Sequence, residues 1–174
     1  MIVGPRYRDA MAVLLTIAVV LCAFFNQDTP WRLALMGVFY LPLIANARLD
    51  FHTQTLRVSW TNIAIIVAMI AAISQGTPLL HWLWSVGCAG VIAGISLASR
   101  GRLIGVGDAR LLLAIALWQG ALAPQRIWWA CVIAIACHCV ALGTLMIRQR
   151  LHRTDTHPFG PALVAGCACV DALT

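Results

Sequence analysis

The chain has 174 residues, of which 61% are hydrophobic and only 10% charged. Soluble domains are about 45–50% apolar and roughly a quarter charged, so this composition excludes a water-soluble globule, whose surface needs charge that this chain lacks. The net charge of +6 rests on twelve arginines, with no lysine and no glutamate; an HExxH metallopeptidase is thereby excluded.

Apolar runs follow one another at 10–25, 33–49, 63–73, 79–98, 111–123, 127–147 and 161–173. A membrane-crossing helix needs ~20 apolar residues, so the expected fold is all-α: a polytopic transmembrane bundle of about six to seven membrane helices. The third, fifth and seventh runs are short and need flanking polar residues or neighbouring helices to protect them. Arg6 and Arg8 ahead of the first run are arranged as in a secretory signal. No small-residue cleavage site follows, and Val19-Val20-Leu21-Cys22 lacks the small residue that a lipoprotein site places before its cysteine. A retained first helix is therefore expected. Residues 26–30 and 74–78, together with Ala123-Pro124, read as tight turns between runs. The whole chain, 1–174, is expected to form one transmembrane domain.

Charge orients the bundle. Arg6, Arg8, Arg48, Arg57, Arg100, Arg102, Arg110, Arg148, Arg150 and Arg153 fall in alternate connections, and only Arg32 and Arg126 fall in the others. Positive charge marks the cytoplasmic side, so the N-terminus and the connections near 50, 105 and 150 are expected there. The basic balance is topology, and no nucleic-acid motif accompanies it.

Six aspartates are the only acidic side chains. Asp9 reads as a cap, Asp28 and Asp155 as solvated loop residues, and Asp171 as near enough to the C-terminus to reach water. Asp50 and Asp108 differ, because each ends an apolar run and the arginine pattern places both on one face. Ionisable groups at membrane depth are costly and commonly functional. Asp108 follows two glycines in Gly105-Val106-Gly107-Asp108, where the backbone can bend sharply and be approached closely. Two readings stand for Asp108: an N-terminal helix cap or a reacting carboxyl. Asp50 has its own alternative, an ion pair with Arg48 or Arg57.

With Gly105-Val106-Gly107-Asp108-Ala109-Arg110-Leu111, an upstream Asp50, and His157-Pro158-Phe159-Gly160-Pro161-Ala162-Leu163, the chain resembles the prepilin peptidase family. These are the GxGD membrane aspartic peptidases of type IV pilus and type II secretion systems. The family usually has Pro seven residues after the first Asp, where this chain has Arg57, and commonly Lys where it has Arg110. The resemblance implies that Asp50 and Asp108 form a catalytic pair. Two adjacent carboxyls cannot both ionise easily, so one draws a proton from water while the other donates one. It further implies supporting or substrate-binding roles for Gly105, Gly107, Arg110, Phe159, Gly160 and Pro161. The glycines would let the substrate backbone lie close to Asp108. Arg110 also reads as a plain topology charge, and Phe159-Gly160-Pro161 as the start of the last helix.

The partner implied is a prepilin or pseudopilin precursor, with a short basic leader, a Gly before the cut and then a hydrophobic helix in the lipid bilayer. The protein would act at the cytoplasmic face of the bacterial inner membrane, and the sequence leaves open a homo-oligomer. No cofactor and no metal are expected. Cys137-His138-Cys139 and Cys167-Ala168-Cys169 lack the spacing of a zinc site. Without paired CxxC motifs, the chain corresponds to the peptidase core alone, so cleavage without N-methylation is expected and no methyltransferase domain. His52 reads as a loop residue and His81 as one of an interfacial belt. Two other functions remain: a non-enzymatic membrane scaffold or transport component with both aspartates as caps, and a presenilin-like intramembrane protease.

Overall fold

The computed structural model describes residues 17, 20, 21, 30–53, 55–99, 105–147 and 159–173. The run at 10–25 lies almost wholly outside them, as do Asp9, Asp28, Asp155 and the arginines expected on the cytoplasmic side other than Arg48, Arg57 and Arg110. Six helices are described: α1 (Pro30–Thr53), α2 (Val58–Ser74), α3 (Leu79–Ala98), α4 (Val106–Leu122), α5 (Pro124–Ile147) and α6 (Gly160–Leu173). All-helical architecture is thus observed, with no strand among the described residues.

The number of membrane spans is corrected. Among the described residues, only Pro30–Asp50, Leu79–Ala98 and Pro124–Thr144 are long and apolar enough to cross a membrane by length and composition. Val58–Ser74 and Gly160–Leu173 are apolar but shorter. At 1.5 Å per residue, helices of this size reach only about 20–25 Å, against a hydrocarbon core of ~30 Å. α4 and α6 are largely buried in the bundle, whereas α2 buries one face and exposes Ile63, Ile66, Ile70 and Ile73 on the other.

Helix boundaries follow local chemistry. α2 ends in a Schellman arrangement: Gly76 takes φ +62°, its N–H bonds to the Ile73 carbonyl at 3.0 Å and the Thr77 N–H to that of Ala72 at 3.1 Å. Only glycine adopts this left-handed turn without strain. α5 opens with Pro124, whose missing N–H costs nothing in a first turn. Five of the six apolar runs in these segments were shorter than the helix observed, because backbone bonding continues into the polar caps.

α4 is the centre. It packs against α2, α3, α5 and α6, and Leu111, Leu112, Ala114, Ile115, Ala116, Leu117 and Trp118 are all buried. A helix apolar all round belongs in an interior. Two glycines let helices meet closely: a Cβ on Gly120 of α4 would collide with Ser85 of α3, and one on Gly166 of α6 with the Ala130 carbonyl of α5. The outer faces of α3 and α5 expose Leu80, Leu83, Val86, Val91, Trp128, Val132 and Ile135, a surface suited to lipid and not to water.

α1 and α4 are the exception to close packing. No Cα of one comes within 8 Å of the other among the described residues. The gap is bridged by side chains, with Phe39 stacked on Trp118 at 4.4 Å and 10°. Toward the other end of the same gap lie Asp50 and Asp108.

Candidate active site

Asp108 stands in the first turn of α4, ahead of the apolar run that begins at Leu111. Gly105 is the residue at the helix N-cap, with extended backbone (φ −62°, ψ 146°) and no side chain to cap with. The Asp108 carboxylate turns back and accepts the Gly105 N–H, as the third residue of a capping box does. A Cβ at Gly105 would come within 3.2 Å of Asp108 Oδ2. The cap reading of Asp108 is therefore part of its geometry, and it leaves the other carboxylate edge facing the cleft.

Asp50 approaches from α1 and is 6% exposed. Its carboxylate meets the backbone N–H of Gly160, the first residue of α6, where the helix dipole favours negative charge. A Cβ at Gly160 would lie 2.8 Å from Asp50 Oδ2. That oxygen is buried and has no hydrogen-bond partner among the described residues. Buried polar atoms are nearly always paired, so an unpaired carboxylate oxygen beside a cleft calls for a partner that enters the cleft.

The connection after Asp50 is held by Asn46, one turn earlier on α1 and fully buried. Asn46 Oδ1 accepts the Arg57 N–H at 3.0 Å, and Nδ2 donates to Thr61 Oγ1 at 2.9 Å and to the Arg57 carbonyl at 3.2 Å. Arg57 has φ −73°, within the range that proline imposes. The backbone shape is that of a proline, but a proline could not donate the bond that Asn46 receives. Leu56 then wedges between the two remaining motifs. It would lie 3.0 Å from a Cβ on Gly107 and 3.5 Å from one on Gly160.

Asp50 and Asp108 line one cleft of about 420 Å³ with Thr55, Leu56, Val58, Thr61, Gly105, Val106, Gly107 and Arg110. Desolvation raises the Asp108 pKa, the charge of Asp50 raises it further, and the Gly105 N–H opposes both; the outcome is a value of about 6. Two carboxyls that share one cleft, one of them with its pKa pushed up in part by the charge of the other, cannot both ionise easily.

The other expected site residues divide. Arg110 is exposed at the cleft wall. Phe159 meets His138 of α5 edge-on at 5.1 Å, and its carbonyl accepts the N–H groups of Ala162 and Leu163, so it anchors the start of α6. Pro161 is buried in the first turn of that helix. The helix-start reading of this segment and its place at the site are one fact, because the start of α6 is what Asp50 touches. The space beside Gly105 and Gly107 is filled by Asp108 and Leu56 of the chain itself. These glycines make room for internal packing at the cleft wall. Asn46 and Leu56 were not singled out from sequence; the polar residue one turn before Asp50 was the available signal for the first.

Asp171 is a second correction. It is 2% exposed, inside the bundle rather than in reach of water, because α6 turns its last residues toward α1 and α4.

Compared with known proteins, the chain matches the type IV leader peptidase family over residues 37–147, more than half its length. The match takes in Asp50 and the Gly105–Asp108 motif and stops before Phe159. No curated protein and no solved structure matches.

Proposed function

The chain belongs to the type IV leader peptidase family, a family of proteases, and from that premise we propose that it is an aspartic endopeptidase removing the short basic leader of prepilin-like precursors. It works at the cytoplasmic face of the inner membrane as a single peptidase-core domain, without methyl transfer and without a cofactor. The observation that carries the reading is the shared cleft of Asp50 and Asp108, brought from opposite helices to one end of the bundle.

Asp50 is the base in this scheme. The Gly160 N–H and the start of α6 offset part of the cost that burial puts on its charged form, and its unpartnered Oδ2 can take a proton from a water in the cleft. Asp108 is the acid. Its raised pKa keeps a proton available for the carbonyl oxygen and then for the leaving nitrogen. The two titrate as a pair, with one proton shared in the active form. The orientation follows the arginine bias: Arg48, Arg57 and Arg110 lie at the end of the bundle that holds the cleft, Arg32 and Arg126 at the other. A substrate leader that is basic and cytoplasmic reaches that end, while its hydrophobic helix stays in lipid.

The test is processing of a co-expressed prepilin by wild type, Asp50→Asn and Asp108→Asn, each present in the membrane at equal amount. Both substitutions are expected to lower cleavage by at least about 10²-fold. Full processing by either would refute the dyad. Failure of wild type on several prepilins would favour a non-catalytic membrane role.

A further inference from the structure

The buried polar groups far from the cleft converge on one side chain. Asp171 Oδ2 accepts the Tyr40 hydroxyl at 2.5 Å and the Trp118 indole N–H at 2.9 Å, and its Oδ1 accepts the Gln119 amide at 3.1 Å. Gln119 Nε2 also reaches the Cys167 carbonyl at 3.0 Å, and Tyr40 the Cys167 thiol at 3.3 Å. Tyr40, Gln119, Cys167 and Asp171 are each no more than 2% exposed. The Arg126 guanidinium at the start of α5 acts on Asp171 electrostatically, which offsets part of the cost of a buried charge.

The helices joined here are the three that build the cleft. Tyr40 is on α1 with Asp50, Trp118 and Gln119 on α4 with Asp108, and Asp171 and Cys167 on α6 with Gly160. In each case the two positions are roughly ten residues apart, or about 15 Å along the helix axis. α1 and α4 share no close backbone contact. Their relative placement depends on side chains: the Phe39–Trp118 stack sets the spacing, and stacking alone leaves the helices free to slide. Hydrogen bonds from both helices to one carboxylate on a third remove that freedom.

We propose that Asp171 is a positioning residue for the catalytic cleft, fixing the axial register of α1, α4 and α6 so that Asp50, Asp108 and the Gly160 N–H meet at the other end. An apolar residue would fill the space, but it would leave the Trp118 indole N–H without its acceptor and Tyr40 and Gln119 with Cys167 alone, where no water replaces the loss. It would also carry no directional information about register. The inference rests on the dyad reading of Asp50 and Asp108.

The experiment uses the full chain in lipid nanodiscs and compares wild type, Asp171→Asn and Tyr40→Phe. Two quantities are read per folded protein: kcat and KM on a prepilin, and the infrared titration of the protonated carboxyl band that Asp108→Asn removes. Misplacing reacting groups by about 1 Å costs up to 10²-fold, so Asp171→Asn is expected to lower kcat by about 10- to 100-fold, with KM nearly unchanged. It is also expected to move the Asp108 midpoint away from its wild-type value, since the spacing to Asp50 changes. Tyr40→Phe gives a smaller change of the same kind. Folded Asp171→Asn or Tyr40→Phe protein with wild-type kcat and an unmoved midpoint would overturn the proposal, leaving Asp171 as a fold-stabilising group only. If wild type cleaves no prepilin, the functional reading falls, and the infrared midpoints alone still decide whether Asp171 positions Asp108.

Discussion

Exchanging Asp108 for asparagine separates the charge of this group from its shape. Asparagine keeps an oxygen for the Gly105 N–H and nearly the same volume. The aspartate pKa goes from 3.8 to about 6 on folding, a shift of about 2 units, which sets a ceiling of about 3 kcal/mol. Asp108 is only half-buried and faces an open cleft, so solvent screening reduces the expected effect to about 1 kcal/mol. The folded pKa lies above the unfolded one, so between about pH 4 and pH 6 the folded state binds more protons, and stability falls as pH rises through that window. The penalty is absent below the window and complete above it. Asp108→Asn escapes it: the variant is expected to match wild type at pH 4, to exceed it by about 1 kcal/mol, or about 2–4 °C in Tm, at pH 8, and to have lost cleavage. Thermal unfolding in detergent micelles at several pH values, followed by tryptophan fluorescence, measures this, with buried Trp118 as reporter. A gain of equal size at pH 4, or a loss of stability at pH 8, would refute the reasoning that the charge of Asp108 is held at a cost.

Gly160→Ala places a methyl group 2.8 Å from Asp50 Oδ2, so kcat for prepilin cleavage is expected to fall by about 10- to 100-fold while the protein remains folded. Gly107→Ala meets Leu56 at 3.0 Å and 3.2 Å; it is expected to destabilise by about 1–3 kcal/mol, and Leu56→Ala in the same chain is expected to recover part of the loss in unfolding experiments. Asn46→Ala strips acceptor and donor from the Arg57 and Thr61 groups and is expected to cost about 2 kcal/mol. Arg57→Pro, which fits the observed φ but lacks the N–H, is expected to cost less in the Asn46→Ala background than in wild type, a coupling that a double-mutant cycle reads. Gly166→Ala drives a methyl group into the Ala130 carbonyl and is expected to part α5 from α6, with loss of the folded form from the membrane.

The all-helical fold, the turns at 74–78 and at Ala123-Pro124, and the distinctness of Asp50 and Asp108 were legible in the chain because they depend on local properties. Apolar run length reports on solvent, glycine and proline report on backbone freedom, and a scarce acidic residue at the end of an apolar run stands out. Leu79–Ala98 was read to the residue for that reason. The Phe159-Gly160-Pro161 segment was legible as a helix start, but its use was not: the first N–H of α6 serves a carboxylate roughly 110 residues earlier in the chain. Apolar runs also overcounted the spans, since helices of 17 and 14 residues are as apolar as a spanning one but too short to cross alone. Asp171 is the clearest case. In sequence it is a polar residue close to the C-terminus, where water is the default partner. Only tertiary packing decides that Tyr40, Trp118 and Gln119 surround it, because hydrogen-bond partners far apart in the chain leave no periodic or compositional mark on either end.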